Sequence, residues 1–289
     1  MTEKILRATG LLVIEVINSN PNGDPDRESD PRQRDIDGRG EISPVSFKRK
    51  MRDIVEDKES PAWLEISSRL GLENEKFYVL ESRGRNRADI KTELEGGGKK
   101  FIEKYWDGRI FGNTFLEDAM DKGTIKTGVV QFGMGVSICP VNVERQTNTN
   151  KSGVQEGKTQ GMAPLGYRIV THGVYCMPFF VNPNVAHKSG CSYQDIELMK
   201  ALIPFAYPHN RSAIRPFVEI RRAWYCEHKN QLGSCSDFDI IKSLTPVKKE
   251  AKEEPSKSWD EYDVPNELPQ ELLSKLHSCV DLMADVFRS

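Results

Sequence analysis

At 289 residues the chain can bury one large core or two small ones. Its 41 Lys/Arg against 43 Asp/Glu exclude a uniformly basic nucleic-acid binder, and no apolar run approaches the ~20 residues of a membrane-spanning helix. The net charge of −2 is unevenly spread: residues 250–289 hold 10 acids and 4 bases, a net of −6, which leaves residues 1–249 at +4 (37 bases against 33 acids). A mildly basic body with an acidic tail permits an RNA partner.

Met1-Thr2-Glu3-Lys4 leads into a strand and not into an apolar leader. A cytoplasmic protein is therefore expected, with Cys139, Cys176, Cys191, Cys226, Cys235 and Cys279 as free thiols. The run Leu11 to Ile17 is apolar on both faces, which predicts a central strand. It delivers the chain into Asn18-Ser19-Asn20-Pro21-Asn22-Gly23-Asp24-Pro25, a turn rich in side chains that can donate to phosphate or ribose: Ser19, Asn20 and Asn22. In the charged loop that follows, Asp24, Asp26, Asp30, Asp35 and Asp37 alternate with Arg27, Arg32, Arg34 and Arg39. Turns and ion pairs are the expectation; oxygen ligation of a divalent cation is the alternative.

Ser43 as cap and Pro44 at the first helical position open a helix with Phe47, Met51, Ile54 and Val55 on one face. Lys48, Arg49 and Arg52 fall on the other side as a cationic face. A second short helix runs from Ser60-Pro61 to Leu70, stopped by Gly71, and Phe77 to Leu80 reads as a strand. Residues 82–100 form a polar insertion with Arg83, Arg85 and Arg87 and then Gly96-Gly97-Gly98-Lys99-Lys100, either a solvated loop or a basic flap near a polyanion.

Thr127 to Arg145 and Leu165 to Val181 are long strand candidates. The nearly apolar-free Gln146 to Ala163 between them cannot form its own core, so it should project as an arm and order on contact. Ser192 and Asp195 cap a helix with Ile196, Met199 and Ile203 on one face, ending at Pro204. Arg211-Ser212 and Arg215 precede a strand, Phe217 to Cys226. Lys248 to Asp263 reads as a charged linker, and Leu272, Leu276, Met283 and Phe287 predict a final amphipathic helix.

The order predicts an α+β, elaborated ferredoxin-like (RRM-type) fold, without the aromatic strand signature by which RRM sheets stack bases. Gly153 to Thr159 imitates a phosphate loop, but its glycine spacing and polar surroundings do not fit one. Cys226-Glu227-His228 with Cys235 does not match a common zinc spacing.

Together, Asn18 to Pro25, Val45 to Arg52, Asp107-Gly108-Arg109-Ile110-Phe111-Gly112, Gly128-Val129-Val130-Gln131-Phe132 and Asn210 to Arg215 resemble the backbone subunit of a type I-C CRISPR Cascade, in the Cas-seven family of RAMP proteins (the Csd-two branch). The resemblance implies a modified RRM palm over residues 1–249. Finger or web insertions fall at roughly 18–45 and 82–110, a thumb hairpin at 146–163, and an acidic linker with a C-terminal helix at 250–289. It implies copies stacked head to tail on CRISPR RNA, with each thumb displacing one guide base and the rest free to pair with target DNA.

The implied RNA contacts are Ser19, Asn20, Asn22, Lys48, Arg49, Arg52, Arg109, Gln131, Arg211, Ser212 and Arg215, with Lys158, Thr159 and Met162 on the thumb. Implied partners are cap, large and small subunits (the Cas-five, Cas-eight and Cas-eleven families) and a recruited helicase-nuclease, with no membrane and no cofactor. Related type III backbones cut target RNA with an aspartate in the first loop. The type I-C pattern implies binding without cleavage.

Overall fold

The computed structural model describes residues 4–82, 86, 88–89, 92, 102–112, 127–151, 162–250 and 252–284, with backbone alone at 148–151 and 162–165. Its elements are β1 (Ala8–Ser19), β2 (Gly23–Asp24), β3 (Asp30–Pro31), β4 (Arg39–Ile42), α1 (Pro44–Glu56), α2 (Pro61–Arg69), α3 (Trp106–Phe111), β5 (Val130–Phe132), β6 (Gly135–Pro140), β7 (Val143–Lys151), β8 (Met162–Val181), α4 (Ala186–Ser189), α5 (Tyr193–Leu202), β9 (Phe217–His228), α6 (Asp237–Leu244), β10 (Val247–Lys248), β11 (Tyr262–Asp263), α7 (Gln270–Leu273) and β12 (Leu276–Asp281). The fold is mixed α/β around one large antiparallel sheet.

β1 lies centrally, as its two apolar faces require. It pairs with β8 on one side and β9 on the other, in the sheet order β12-β9-β1-β8-β6-β4. The long β8 bonds β5, β6 and β7 in succession along its second edge. Even positions of β1 (Leu12, Ile14, Val16) face a core shared with Phe47, Met51, Ile54 and Val55 of α1 and Ile196, Met199 and Leu202 of α5. Leu11 and Val13 face a second core with Trp224, Ile240, Leu244, Tyr262, Leu268 and Leu276.

The cap signals hold. Ser46 N donates to Ser43 Oγ (3.2 Å), Trp63 N to Ser60 Oγ (3.2 Å), and Ser192 and Asp195 bond reciprocally. Other expectations are corrected. Thr127 to Arg145 divides into β5, β6 and β7, with breaks at residues 133–134 and after Pro140, which cannot donate to a ladder. Phe77 to Leu80 forms no strand; Tyr78 makes one isolated bridge, to Tyr105, while Leu80 N and Glu81 N donate to buried Asp107.

Among the described residues no amphipathic helix follows residue 276. Leu276–Asp281 adds to the free edge of β9, and only Gln270–Leu273 is helical; Phe287 lies outside the described residues. Cys226 and Cys279 face each other in that register and are joined, which leaves Cys139, Cys176, Cys191 and Cys235 as free thiols. The charged linker is packed onto the sheet, with Ser256 and Tyr262 buried. Among the described residues no helix is long and apolar enough to cross a membrane.

The described parts of the expected arm, residues 146–151 and 162–163, belong to a ladder. β7 and β8 pair from Val143↔Val170 to Lys151↔Met162, which places Met162 at the far end of the paired stem. Lys158 and Thr159 lie outside the described residues, as do Arg83, Arg85, Arg87 and Gly96 to Lys100.

Candidate nucleic-acid interface

β1 ends in a bend at Asn18, whose φ of +44° suits asparagine better than most residues. The predicted side chains of this bend are buried and bonded to backbone. Ser19 Oγ donates to Ile17 O (2.8 Å) and accepts from Phe217 N (3.0 Å). Asn20 Nδ2 donates to Ser29 O (2.8 Å). Asn22 Oδ1 accepts from Ser43 N (2.7 Å), and its amide donates to Gly23 O (2.7 Å). These residues fix the shape of the bend. One acceptor, Asn20 Oδ1, is buried without a hydrogen-bond partner.

The predicted cationic face of α1 is also corrected. Arg52 is 4 % exposed and held by Asp107 (2.9 Å) and Glu81 (3.1 Å). Arg49 donates to Asp53 (2.8 Å), Glu56 (3.0 Å) and Glu81 O (2.5 Å). Arg109 is buried too. It pairs with Asp195 (2.7 Å) and donates to Ile102 O, Glu103 O and Lys76 O. A guanidinium whose donors are taken by carboxylates and carbonyls has little left for a phosphate.

Two lysines of α1 differ from these arginines. Lys48 Nζ sits 5.4 Å from the centre of the Phe111 ring, and burial, then Arg52, lower its pKa. Lys50, which the sequence reading passed over, is 5 % exposed. Its contacts are Ser46 O (3.5 Å) and the Tyr207 ring (5.3 Å). Burial, and then the charge of Arg215, pull the amine down to about 8, with Asp53 opposing at longer range.

Arg215 Nε donates to Asn20 O (2.9 Å). Neither Lys50 nor Arg215 has a salt-bridge partner among the described residues. The signal for Lys50 was in the sequence: three positions after Phe47 and one before Met51, it falls on the apolar face of α1, where an unpaired cation is costly.

The bend, α1 and the 207–215 loop are stitched together. Asn20 N donates to Ile214 O (2.8 Å), and Asn210 Nδ2 to Lys50 O (3.1 Å). Arg211 and Ser212 are exposed on this loop, Arg211 beside a 510 Å³ cleft with Asp53, Glu56 and Asp57. Hydrogen bonds thus tie the bend of Ser19, Asn20 and Asn22 and the loop of Arg211, Ser212 and Arg215 to α1, the helix that carries Lys50.

Gln131 stands apart from them. It is opposite Phe180 on β8, toward the other end of the sheet, and donates to Gly128 O (3.3 Å). Gly128 packs on the backbone of Phe111 and Gly112, so Gln131 belongs with Lys48 and Phe111.

Three of the five loop acids are paired as expected, Asp24 with Arg32 (3.3 Å), Asp35 with Arg27 (2.7 Å) and Asp37 with Arg34 and Arg39; Asp30 pairs instead with Arg168, and Asp26 forms no ion pair among the described residues. Among the described residues no group of three or more His, Cys, Asp or Glu is arranged to hold a metal ion.

The family model described as "CRISPR-associated protein Cas7" matches residues 6–267. A curated "CRISPR-associated protein Cas7" from Haloferax volcanii is 26% identical over 212 residues, 68% of this chain. The chain spans 62% of that relative's length. Among solved structures, a chain of a "CRISPR RNA-guided surveillance complex" is 14% identical (TM-score 0.40), covering 75% of this chain and 68% of that one. A chain of a pre-nicking surveillance complex is 15% identical (TM-score 0.44; 76% and 75%). A chain of a Type III-B Cmr-beta complex bound to cognate target RNA is 10% identical (TM-score 0.44; 77% and 61%). With the family match running through nearly the whole described sheet, the chain belongs to the CRISPR-associated Cas7 family.

Proposed function

We propose that this chain is the CRISPR RNA-binding backbone subunit of a type I-C surveillance complex. It holds the guide by its sugar-phosphate backbone and leaves the bases to pair with target DNA. Copies stack head to tail, with the Cas-five, Cas-eight and Cas-eleven subunits and a helicase-nuclease as further partners. The strand order β9-β1-β8-β6, with α1 and α5 on one face, supports reading the centre as a ferredoxin-like palm and the β7–β8 ladder as the thumb.

One observation carries the reading. Among the described residues neither Lys50 nor Arg215 has a salt-bridge partner, at a bend where Asn20 Oδ1 and the Tyr207 hydroxyl are also buried without hydrogen-bond partners. A buried unpaired cation either loses its proton or meets an anion. An RNA phosphate supplies that anion, and a ribose hydroxyl supplies a donor for an orphan acceptor. Contacts of this kind carry no sequence information, which suits a subunit that must accept any guide. The engagement of Asp24, Asp30, Asp35 and Asp37 by arginines supports binding without cleavage.

The test is retention of RNA by protein co-produced with CRISPR RNA. Lys50→Gln with Arg215→Gln is expected to lose most of it and Arg49→Gln to keep it. Equal retention by all three contradicts the assignment.

A further inference from the structure

Ile36 is 91% exposed at the tip of a loop that is otherwise tied down. Arg34 N donates to Arg39 O (2.8 Å), and Gly38 N to Arg34 O (2.9 Å). Gln33 Nε2 donates to Gly38 O (2.7 Å) and Val141 O (3.0 Å). Arg27 grips Asp35 through both oxygens (2.7 and 2.9 Å), and Arg34 and Arg39 flank Asp37. An apolar side chain is thus held outward on a rigid mount.

A groove of about 680 Å³ lies elsewhere, with an apolar floor that includes Ile5, Leu70, Pro183 and Ala186. Its rim is preformed. Gln194 Nε2 donates to Leu70 O (3.2 Å), and Gln231 Nε2 to Ile5 O (3.2 Å).

The two features sit at opposite ends of the molecule. The loop is anchored at Val141, two residues before Val143, which pairs with Val170; Val170 faces Ser19 at the end of β1. The groove takes in Ile5, just before Ala8, and Pro183, just after Val181, and Ala8 faces Val181 at the start of β1. A strand of this length separates them by roughly 35 Å.

Charges also match. Residues 24–39 hold six acids against four arginines, and Asp26 and Glu28 are exposed with no ion pair among the described residues. The groove rim offers Lys4 and His187, with Lys188 exposed beside them and Glu197 as the acid of the lining.

We infer that Ile36 of one copy seats in this groove of the next copy. A knob and a hole on different surfaces make a heterologous contact, which propagates as a filament and does not close on itself as a twofold dimer does. The inference rests on the head-to-tail reading above and names the contact that would carry it. The net acidic loop, with Asp26 and Glu28 exposed, then faces Lys4 and His187 of the receiving copy.

The test uses the full chain co-produced with CRISPR RNA, with Cys191→Ser in every variant because that thiol lines the groove. Ile36→Cys combined with Ala186→Cys is expected to give a ladder of covalent multimers on mild oxidation, which neither single variant gives. Ile36→Asp is expected to weaken multi-copy assembly on long RNA at least tenfold, read by native mass spectrometry. Binding of one copy to a short oligonucleotide should stay within twofold, and Ile36→Leu should restore assembly. A multi-copy assembly without the 36–186 cross-link, or Ile36→Asp assembling like wild type, overturns the contact. If wild type fails to bind the short oligonucleotide, the RNA-binding reading falls. Sedimentation at high protein concentration then decides the contact alone: lower self-association of Ile36→Asp supports it, and equal self-association overturns it.

Discussion

Lys50 and Arg215 share a small volume, and the lysine loses proton affinity because burial and a like charge both disfavour its cationic form. A phosphate placed there reverses the effect. In the free protein the amine titrates at about 8, so above that pH binding must take up a proton. RNA affinity should therefore be flat below about pH 7.5 and fall by up to about tenfold per pH unit above the free-protein value, measured by fluorescence anisotropy. Lys50→Gln should bind more weakly at neutral pH and lose that slope. The buried arginines should behave differently. Removing one partner of a buried ion pair strands the other charge, so Arg109→Ala should cost about 3–5 kcal/mol in chemical denaturation. RNA affinity per folded molecule should change little, whereas a selective loss of affinity with normal stability would place Arg109 at the RNA.

At the scale of elements, close backbone approach is as decisive as side chains. A Cβ on Gly128 would lie 2.2 Å from Gly112 N and from the Phe111 carbonyl carbon, both backbone atoms that cannot swing aside. Gly128→Ala should destabilise the fold by about 1–3 kcal/mol and displace Gln131 and the Lys48–Phe111 contact; an unchanged melting temperature would contradict the packing described. The helices were legible in the sequence because their signals are local. Ser43-Pro44, Ser60-Pro61 and Ser192 with Asp195 each cap within three residues.

The last strand was not legible. Leu272, Leu276 and Met283 satisfy a helical spacing, and only the open edge of β9, some fifty residues earlier, makes an extended chain the better solution. The bend and α1 lie together as the sequence suggests, but the pairing state of their cations was not legible. Arg52 meets Asp107 at a separation of 55 residues and Arg109 meets Asp195 at 86, so spacing along α1 could not show that these cations were neutralised. Lys50 was hidden for the converse reason: its position implied burial, and the lack of a counter-charge is visible only in three dimensions.

For the whole molecule, the acidic C-terminal segment bears on the proposed RNA path. It covers the face of the sheet opposite α1 and α5. Ser256 Oγ lies 2.8 Å from His172 Nδ1, and Glu15 joins His172 (3.2 Å) to Arg221 (3.0 Å), which stacks 4.7 Å from the Trp259 ring. RRM sheets bind RNA on an open face. Here that face is occupied, which is consistent with the proposed contact at the strand ends, near Lys50 and Arg215. Trp259→Ala should loosen the segment and speed limited proteolysis within residues 252–261 several-fold; an unchanged cleavage rate would show that the Arg221 stack is not what holds it.

The central claim is that the guide is gripped through its phosphates at Lys50 and Arg215, without regard to sequence. The most direct measurement is the salt dependence of binding to two guide RNAs of unrelated sequence, for wild type and for Lys50→Gln with Arg215→Gln. The account predicts equal affinities for the two guides and a log–log salt slope that shrinks by about 1.4 in the double variant, at ~0.7 per phosphate contact on single strands. An unchanged slope, or a strong preference for one guide, would contradict it.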